Sequence, residues 1–144
     1  IAIIKKIWNK KDIVIVEGEK TRSGIGNDLY DNAHTVQRIL GPATNAFERY
    51  NEMLHTIIQN VSKDKLILMS YGMSATVLAY DLAKLGYWAI DLGHLDIEYE
   101  WFRMGAINQH QAIRNKFTNE APEGDMVEDC HDPLYLSQVI CRIC

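Results

Sequence analysis

Apolar residues in this chain fall into short runs divided by polar, glycine-bearing stretches, and the period within each run separates strands from helices. Residues 13–16, Ile-Val-Ile-Val, form a continuous β-branched run, the pattern of a strand covered on both faces. "KLILMS" (65–70) and "YWAIDLG" (87–93) supply two more strands. Elsewhere the period lengthens. Ile3, Ile4, Ile7 and Trp8 predict an opening amphipathic helix, "DNAHTVQRILG" (31–41) a second that Gly41-Pro42 stops, and "ATNAFERYNEMLHTIIQNV" (43–61) a third. That third pattern carries Phe47, Tyr50, Met53, Leu54, Ile57, Ile58 and Val61 on one side. "ATVLAYDLAKLG" (75–86) reads as a helix with Ser74 as N-cap and Gly86 as stop. After an exposed loop rich in Pro, Gly and acids, "LYLSQVICRIC" (134–144) predicts a last short helix.

The resulting order, α-β-α-α-β-α-β-α, implies an α/β fold of Rossmann-like type, a mainly parallel sheet with helices on both faces. No repeat or low-complexity tract divides the chain, so residues 1–144 are expected to form one domain.

Composition agrees with a globular chain: 144 residues, 47% hydrophobic and 24% charged. With 15 basic against 19 acidic residues the net charge is -4, and no Lys/Arg run exceeds two. Nucleic acid is therefore not expected as a partner. No apolar run approaches the roughly 20 residues of a membrane span, and the lysine-interrupted start is not a signal peptide, so a cytoplasmic location is expected. A chain opening on Ile1 and an amphipathic pattern reads as the latter part of a longer protein. The odd count of three cysteines, Cys130, Cys141 and Cys144, argues against a disulfide framework, and adjacent Cys130-His131 would reach one zinc ion awkwardly. Reduced, partly buried thiols are expected.

In an open parallel sheet, ligands gather at the carboxyl ends of the strands, where loops meet helix N-termini. Three loops qualify. "VEGEKTRSGIGNDLYD" (16–31) leaves the first strand through two glycines, Gly24 and Gly26, with Arg22 offering a fork matched to phosphate and Asn27 and Asp28 able to bond a ribose, a base or the loop itself. The bland alternative is a long turn in which Asp28 or Asp31 caps the next helix. "SYGMSAT" (70–76) places Gly72 at a strand exit and Ser74 at a helix start, geometry that suits an anion or merely a capped helix. "DLGHLDIEYEWF" (91–102) concentrates Asp91, His94, Asp96, Glu98 and Glu100. A helix beginning near Asp96 puts Asp96 and Glu100 on one face, and so many acids suit a cation, or else simply a solvated helix start. His34 and His55 fall on helical patterns and read as packing residues, while His110 has no partner nearby in sequence and His131 sits in the Pro-rich loop without a role.

The segments "VEGEKTRSGIGNDLYDNA", "RILGPATNAFERY", "TVLAYDLAKLGYWAIDLGHLDIEYEWFRMGA" and "CHDPLYLSQVI" resemble the C-terminal half of the GT-D fold glycosyltransferases, a bacterial family first described as a domain of unknown function. The resemblance runs from about Asp12 onward. It implies a transferase that moves a sugar from a UDP-sugar donor, with a divalent metal such as Mn2+, to a glycan or glycoprotein acceptor. On this resemblance Arg22, Gly24, Gly26, Asn27 and Asp28 hold the nucleotide, with Gly72 and Ser74 beside them. His94 and Asp96 lie near the metal, and Glu98 or Glu100 is the base that takes the acceptor's proton, Glu100 preferred because it shares the face of Asp96. One departure matters. The family's Asp-x-Glu metal motif lies in an N-terminal "GDGE" run that this chain lacks; Asp96-Ile97-Glu98 has the letters but the wrong place. The missing N-terminal half is thus an implied partner, and a nucleotide- or sugar-binding regulatory module, or a structural interaction domain, is the alternative to an enzyme.

Overall fold

The computed structural model describes residues 1–105, 111–118 and 120–144; the expectation for His110 lies outside them. Five strands, β1 (Asp12–Gly18), β2 (Thr35–Gly41), β3 (Leu66–Ser70), β4 (Trp88–Asp91) and β5 (Val139–Arg142), form one sheet in the order β4-β3-β1-β2-β5. Every neighbouring pair is parallel. The helices are α1 (Tyr50–Asn60), α2 (Ser74–Lys84), α3 (Leu95–Met104) and α4 (Pro133–Gln138).

Alternation along β1 divides the core in two. Val14 and Val16 face α1 and α2, packing with Met53, Ile57, Leu78 and Leu82, while Ile13 and Ile15 face Trp8, Leu29, Tyr30 and Tyr99 of α3. The sheet is covered on both faces, as the fully apolar strand predicted.

Three expectations are corrected. Residues 31–41 do not form a helix: Thr35–Gly41 is β2, paired to β1 throughout from Asp12–Thr35 to Gly18–Gly41. Val36, Ile39 and Leu40 imitate a helical period because β2 is interior, so both faces carry apolar residues and the two-residue alternation disappears. Asp28 and Asp31 accordingly cap no helix. The opening residues form only a single 3-10 turn, Ile4–Ile7, after which Trp8 is fully buried and donates its indole N–H to the Leu29 carbonyl at 3.0 Å. At the other end the helical signal stops at Gln138, and Val139–Arg142 continue as β5 beside β2. There Asp132 caps α4 by accepting from the N–H groups of Leu134 and Tyr135 at 2.8 and 3.2 Å, with Pro133 at the first helical position. A smaller shift concerns Ser74, which is the first residue of α2, not its cap; Met73 holds that position without a side-chain bond.

The topology itself marks a crevice. From β1 the chain moves to β2 on one side of the sheet, whereas from β3 it moves to β4 on the other side. Adjacent strands whose connections depart in opposite directions open a gap at their carboxyl ends, here above β1 and β3. Both glycine-bearing loops, after Gly18 and after Ser70, rise from these two strands.

Candidate functional site

The loop leaving β1 is fixed from below by buried polar groups. Glu17 is fully buried at the end of β1 and accepts from the Ser23 N–H at 2.8 Å and from the Arg38 guanidinium at 2.6 Å. Arg38, itself 2% exposed, also donates to the Ser23 carbonyl and to Gln138 of α4, and its guanidinium lies over the Tyr135 ring at 5.2 Å. Burial pushes the Glu17 carboxyl above its ordinary range, against the pull of Arg38 and of the Ser23 N–H. Ser23 completes the base through a 2.9 Å bond with the Tyr30 hydroxyl.

Above Ser23 the chain turns through Gly24 at φ +76°, where a Cβ would lie 2.3 Å from the Tyr30 ring, so no side chain fits. The turn is held against α3 by one carboxylate. Asp96 Oδ1 accepts from the Gly24 N–H and from the Asn27 side-chain amide, both at 2.8 Å, and its Oδ2 accepts from the Lys116 ammonium at 2.7 Å. Asn27 Nδ2 also donates to Glu100 Oε1, which lies 3.5 Å from Lys116 Nζ and 3.6 Å from the Arg103 guanidinium. Asp96 and Glu100 thus share one helix face, and the structure joins them to Gly24 and Asn27 in a single network.

Asp28 faces elsewhere. Its carboxylate accepts from the Tyr99 hydroxyl at 2.5 Å and pairs with Lys5 at 3.3 Å, and these partners, Tyr99 first, hold it below the ordinary carboxylate range. Gly26 lies on the same loop with open space at its Cβ position. Gly72 and Ser74 sit at the exit of β3, on the other lip of the crevice, and Ser74 is buried. Glu98 is separated from Glu100: it is exposed, 3.7 Å from His94 Nε2, while His94 Nδ1 reaches Glu120 at 3.0 Å.

Two of the candidate residues have partners within the chain that the sequence did not indicate. Arg22 is 5% exposed and spends its guanidinium on the carbonyl oxygens of Asn115 (2.9 Å) and Glu128, so it braces the backbone at those two residues. Its Nε is buried without a partner among the described residues. Arg22→Ala is therefore expected to lower folding stability by about 1.5–3 kcal/mol, the worth of hydrogen bonds to a charged group. Denaturant midpoints run beside a UDP titration check this; unchanged stability with weakened UDP binding would return Arg22 to the phosphate.

Asp96, buried and already facing an ammonium, is the second. Among the described residues no three His, Cys, Asp or Glu side chains converge as a metal site. His94 and Asp96 do not fit a divalent ion as a pair, because a cation with an N–H⁺ donor already occupies the Asp96 oxygen an ion would need. Millimolar Mn2+ or a chelator is expected to move the melting temperature of this chain by less than about 1 °C, since a bound ion stabilises by mass action. A rise of several degrees would show that His94, Glu98 and Glu120 hold an ion after all.

Sequence reasoning missed Glu17, Arg38 and Lys116. A carboxylate closing an apolar strand, as in "IVIVEG", was a usable signal for Glu17. Lys116 carried none, because its partners lie 16 and 20 residues upstream on α3. Lys116 also lines, with Arg114, Asn115, Glu123 and Val127, a cleft of ≈ 430 Å³.

Known proteins share this fold. The profile described as "Glycosyltransferase GT-D fold" matches residues 1–121. The glycosyltransferase GlyD of Streptococcus pneumoniae serotype 4 is 41% identical over 140 residues, which are 97% of this chain and 17% of that protein. A solved structure described as a new glycosyltransferase (DUF1792) from Streptococcus sanguinis superposes with TM-score 0.91 at 39% identity, over 99% of this chain and 53% of that one. Another, described as showing that the highly conserved domain of unknown function 1792 has a distinct glycosyltransferase fold, gives TM-score 0.89 at 43% identity, over 98% of this chain and 50% of that one. The chain spans about half the length of these solved relatives and about a sixth of the curated one. With most of its length matched by the profile and its whole sheet by the solved folds, the chain belongs to the GT-D fold glycosyltransferase family.

Proposed function

We propose that this chain forms the nucleotide-sugar side of a glycosyltransferase site and carries its base, in a protein that moves a sugar from a UDP-sugar to a glycan or glycoprotein acceptor. The observation supporting it is the Asn27 bridge: one side-chain amide bonds both Asp96 and Glu100, coupling the glycine turn above β1 to the acidic face of α3 at the sheet's crevice.

The donor diphosphate lies against the turn of Gly24, Gly26 and Asn27, with Gly72 and Ser74 on the opposite lip. Among the described residues the donors around Glu100 gather on Oε1, which leaves Oε2 to accept a proton. Glu100 takes that proton from the acceptor hydroxyl as its oxygen bonds to the anomeric carbon, and the bond from that carbon to the diphosphate oxygen breaks, releasing UDP. Glu98, exposed and turned toward His94, is the less suited of the two glutamates. A divalent ion such as Mn2+, when bound, would offset charge on the leaving diphosphate; its carboxylates are proposed to come from outside these residues, and no step here depends on it.

The reading is tested by titrating UDP into this chain and by following UDP release from UDP-sugars in the full-length protein. Weak UDP binding by the chain and turnover by the full-length protein are expected, because positioning of donor and acceptor together supplies much of the barrier reduction. Absence of UDP binding in both would overturn it.

A further inference from the structure

Lys116 is a buried lysine, 4% exposed, in a segment that has no helix or strand of its own. Burying an ammonium is costly unless it is paired, and apolar residues of similar volume in place of a whole buried ion pair are often no less stable. Its placement is nevertheless over-determined. The Phe117 N–H donates to the Lys20 carbonyl at 2.8 Å, Arg22 donates to the Asn115 carbonyl, and the Trp101 indole of α3 donates to the Gln111 carbonyl at 2.8 Å. These bonds strap residues 111–118 across both the β1 loop and α3. From the strap, the ammonium meets Asp96 at 2.7 Å and Glu100 at 3.5 Å.

We propose that Lys116 is the positioning residue of the Glu100 carboxylate. Its charge holds two neighbouring carboxylates on one helix face, where they would otherwise repel, and with Asn27 it fixes Oε1 so that Oε2 keeps one orientation toward the acceptor. Asp96 meets the Gly24 N–H and the Asn27 amide through its other oxygen, so those bonds to the nucleotide turn do not run through the lysine. This rests on the reading of Glu100 as base.

Steady-state kinetics on the full-length protein test it, with Lys116→Met, Lys116→Met/Asp96→Asn and Glu100→Gln measured in parallel for kcat, donor KM and melting temperature. Lys116→Met should lower kcat by about 10–100-fold, the effect of a displaced reacting group, with donor KM within about 2-fold. The double variant removes the unpaired buried carboxylate, so it should recover melting temperature while kcat stays low. Recovery of kcat together with stability would show a merely structural lysine and overturn the proposal, as would an unchanged kcat in Lys116→Met. Full activity in Glu100→Gln would instead overturn the base assignment, and with it the role given to Lys116. An inactive Glu100→Gln beside fully active lysine variants would sink the lysine proposal alone.

Discussion

Glu100→Gln in the full-length protein is expected to lower turnover by about 10²–10⁴-fold, the usual contribution of a positioned general base. Glutamine keeps the volume and still accepts from Asn27 through its carbonyl oxygen, and Lys116 keeps its bond to Asp96, so the network that holds the nucleotide loop survives. What disappears is the oxygen able to take a proton. UDP affinity should therefore change by less than about 3-fold, because a base acts in the transition state and contributes little to ground-state binding. UDP release and a UDP titration on the same samples give both numbers. Equal losses in turnover and affinity would place Glu100 in donor binding instead, and Glu98→Gln, whose side chain faces His94, should leave turnover within a few-fold of the parent.

Arg38→Met is expected to cost about 3–5 kcal/mol of folding stability at neutral pH, the penalty of stranding one member of a buried ion pair. Glu17 would keep the Ser23 N–H but lose the guanidinium that balances its charge. The pH dependence has a definite sign. Burial already raises the Glu17 carboxyl above its ordinary value near 4.5, and removing Arg38 removes the main opposing pull. A carboxyl raised in the folded state contributes stability that is fully present below its unfolded value and is lost as pH rises through the folded one. The deficit of the variant relative to the parent should therefore shrink on going from pH 7 toward pH 5. Urea unfolding at both pH values measures it; a deficit below about 1 kcal/mol, or one that grows on acidification, would contradict the pairing. Glu17→Gln/Arg38→Met, which leaves an acceptor for Ser23 without a charge, should recover part of the loss.

The buried pair also explains where the sequence was readable and where it was not. β1 and β3 declare themselves because Ile-Val-Ile-Val and Leu-Ile-Leu-Met have nothing polar in them, and α2 because Gly86 ends it. β2 does not, since its interior position is reached with Gln37 and Arg38 in mid-strand, and only partners distant in the chain, Lys65, Glu17 and Gln138, make those residues acceptable inside. β5 hides in the same way: Val139–Arg142 follow α4 without a breaker, and pairing with β2 sets the conformation that local preference leaves open.

The candidate site followed a parallel rule. The shared face of Asp96 and Glu100 was legible, because helical spacing is local. The commitment of Arg22 to the carbonyls of Asn115 and Glu128, 93 and 106 residues away, and of Lys116 to Asp96, 20 residues away, was not, because each contact is made by the tertiary fold and leaves no local spacing to read.

Parallel pairing of β2 with β5 has a consequence for synthesis. Arg38 and its partner Gln138 are 100 residues apart, and β5 pairs with Arg38, Ile39 and Leu40 only when the last residues of this chain are available. At a translation rate of about 5–20 residues per second, β2 emerges roughly 5–20 s before the strand that covers it. Throughout that interval it is an open edge, with a guanidinium directed inward and its α4 partners, Gln138 and Tyr135, not yet made. A positive charge at a nascent edge is a recognised guard against pairing with other chains. Until β5 is in place, Arg38 is the charge that this edge carries; in the finished sheet the same group is the buried counter-ion of Glu17.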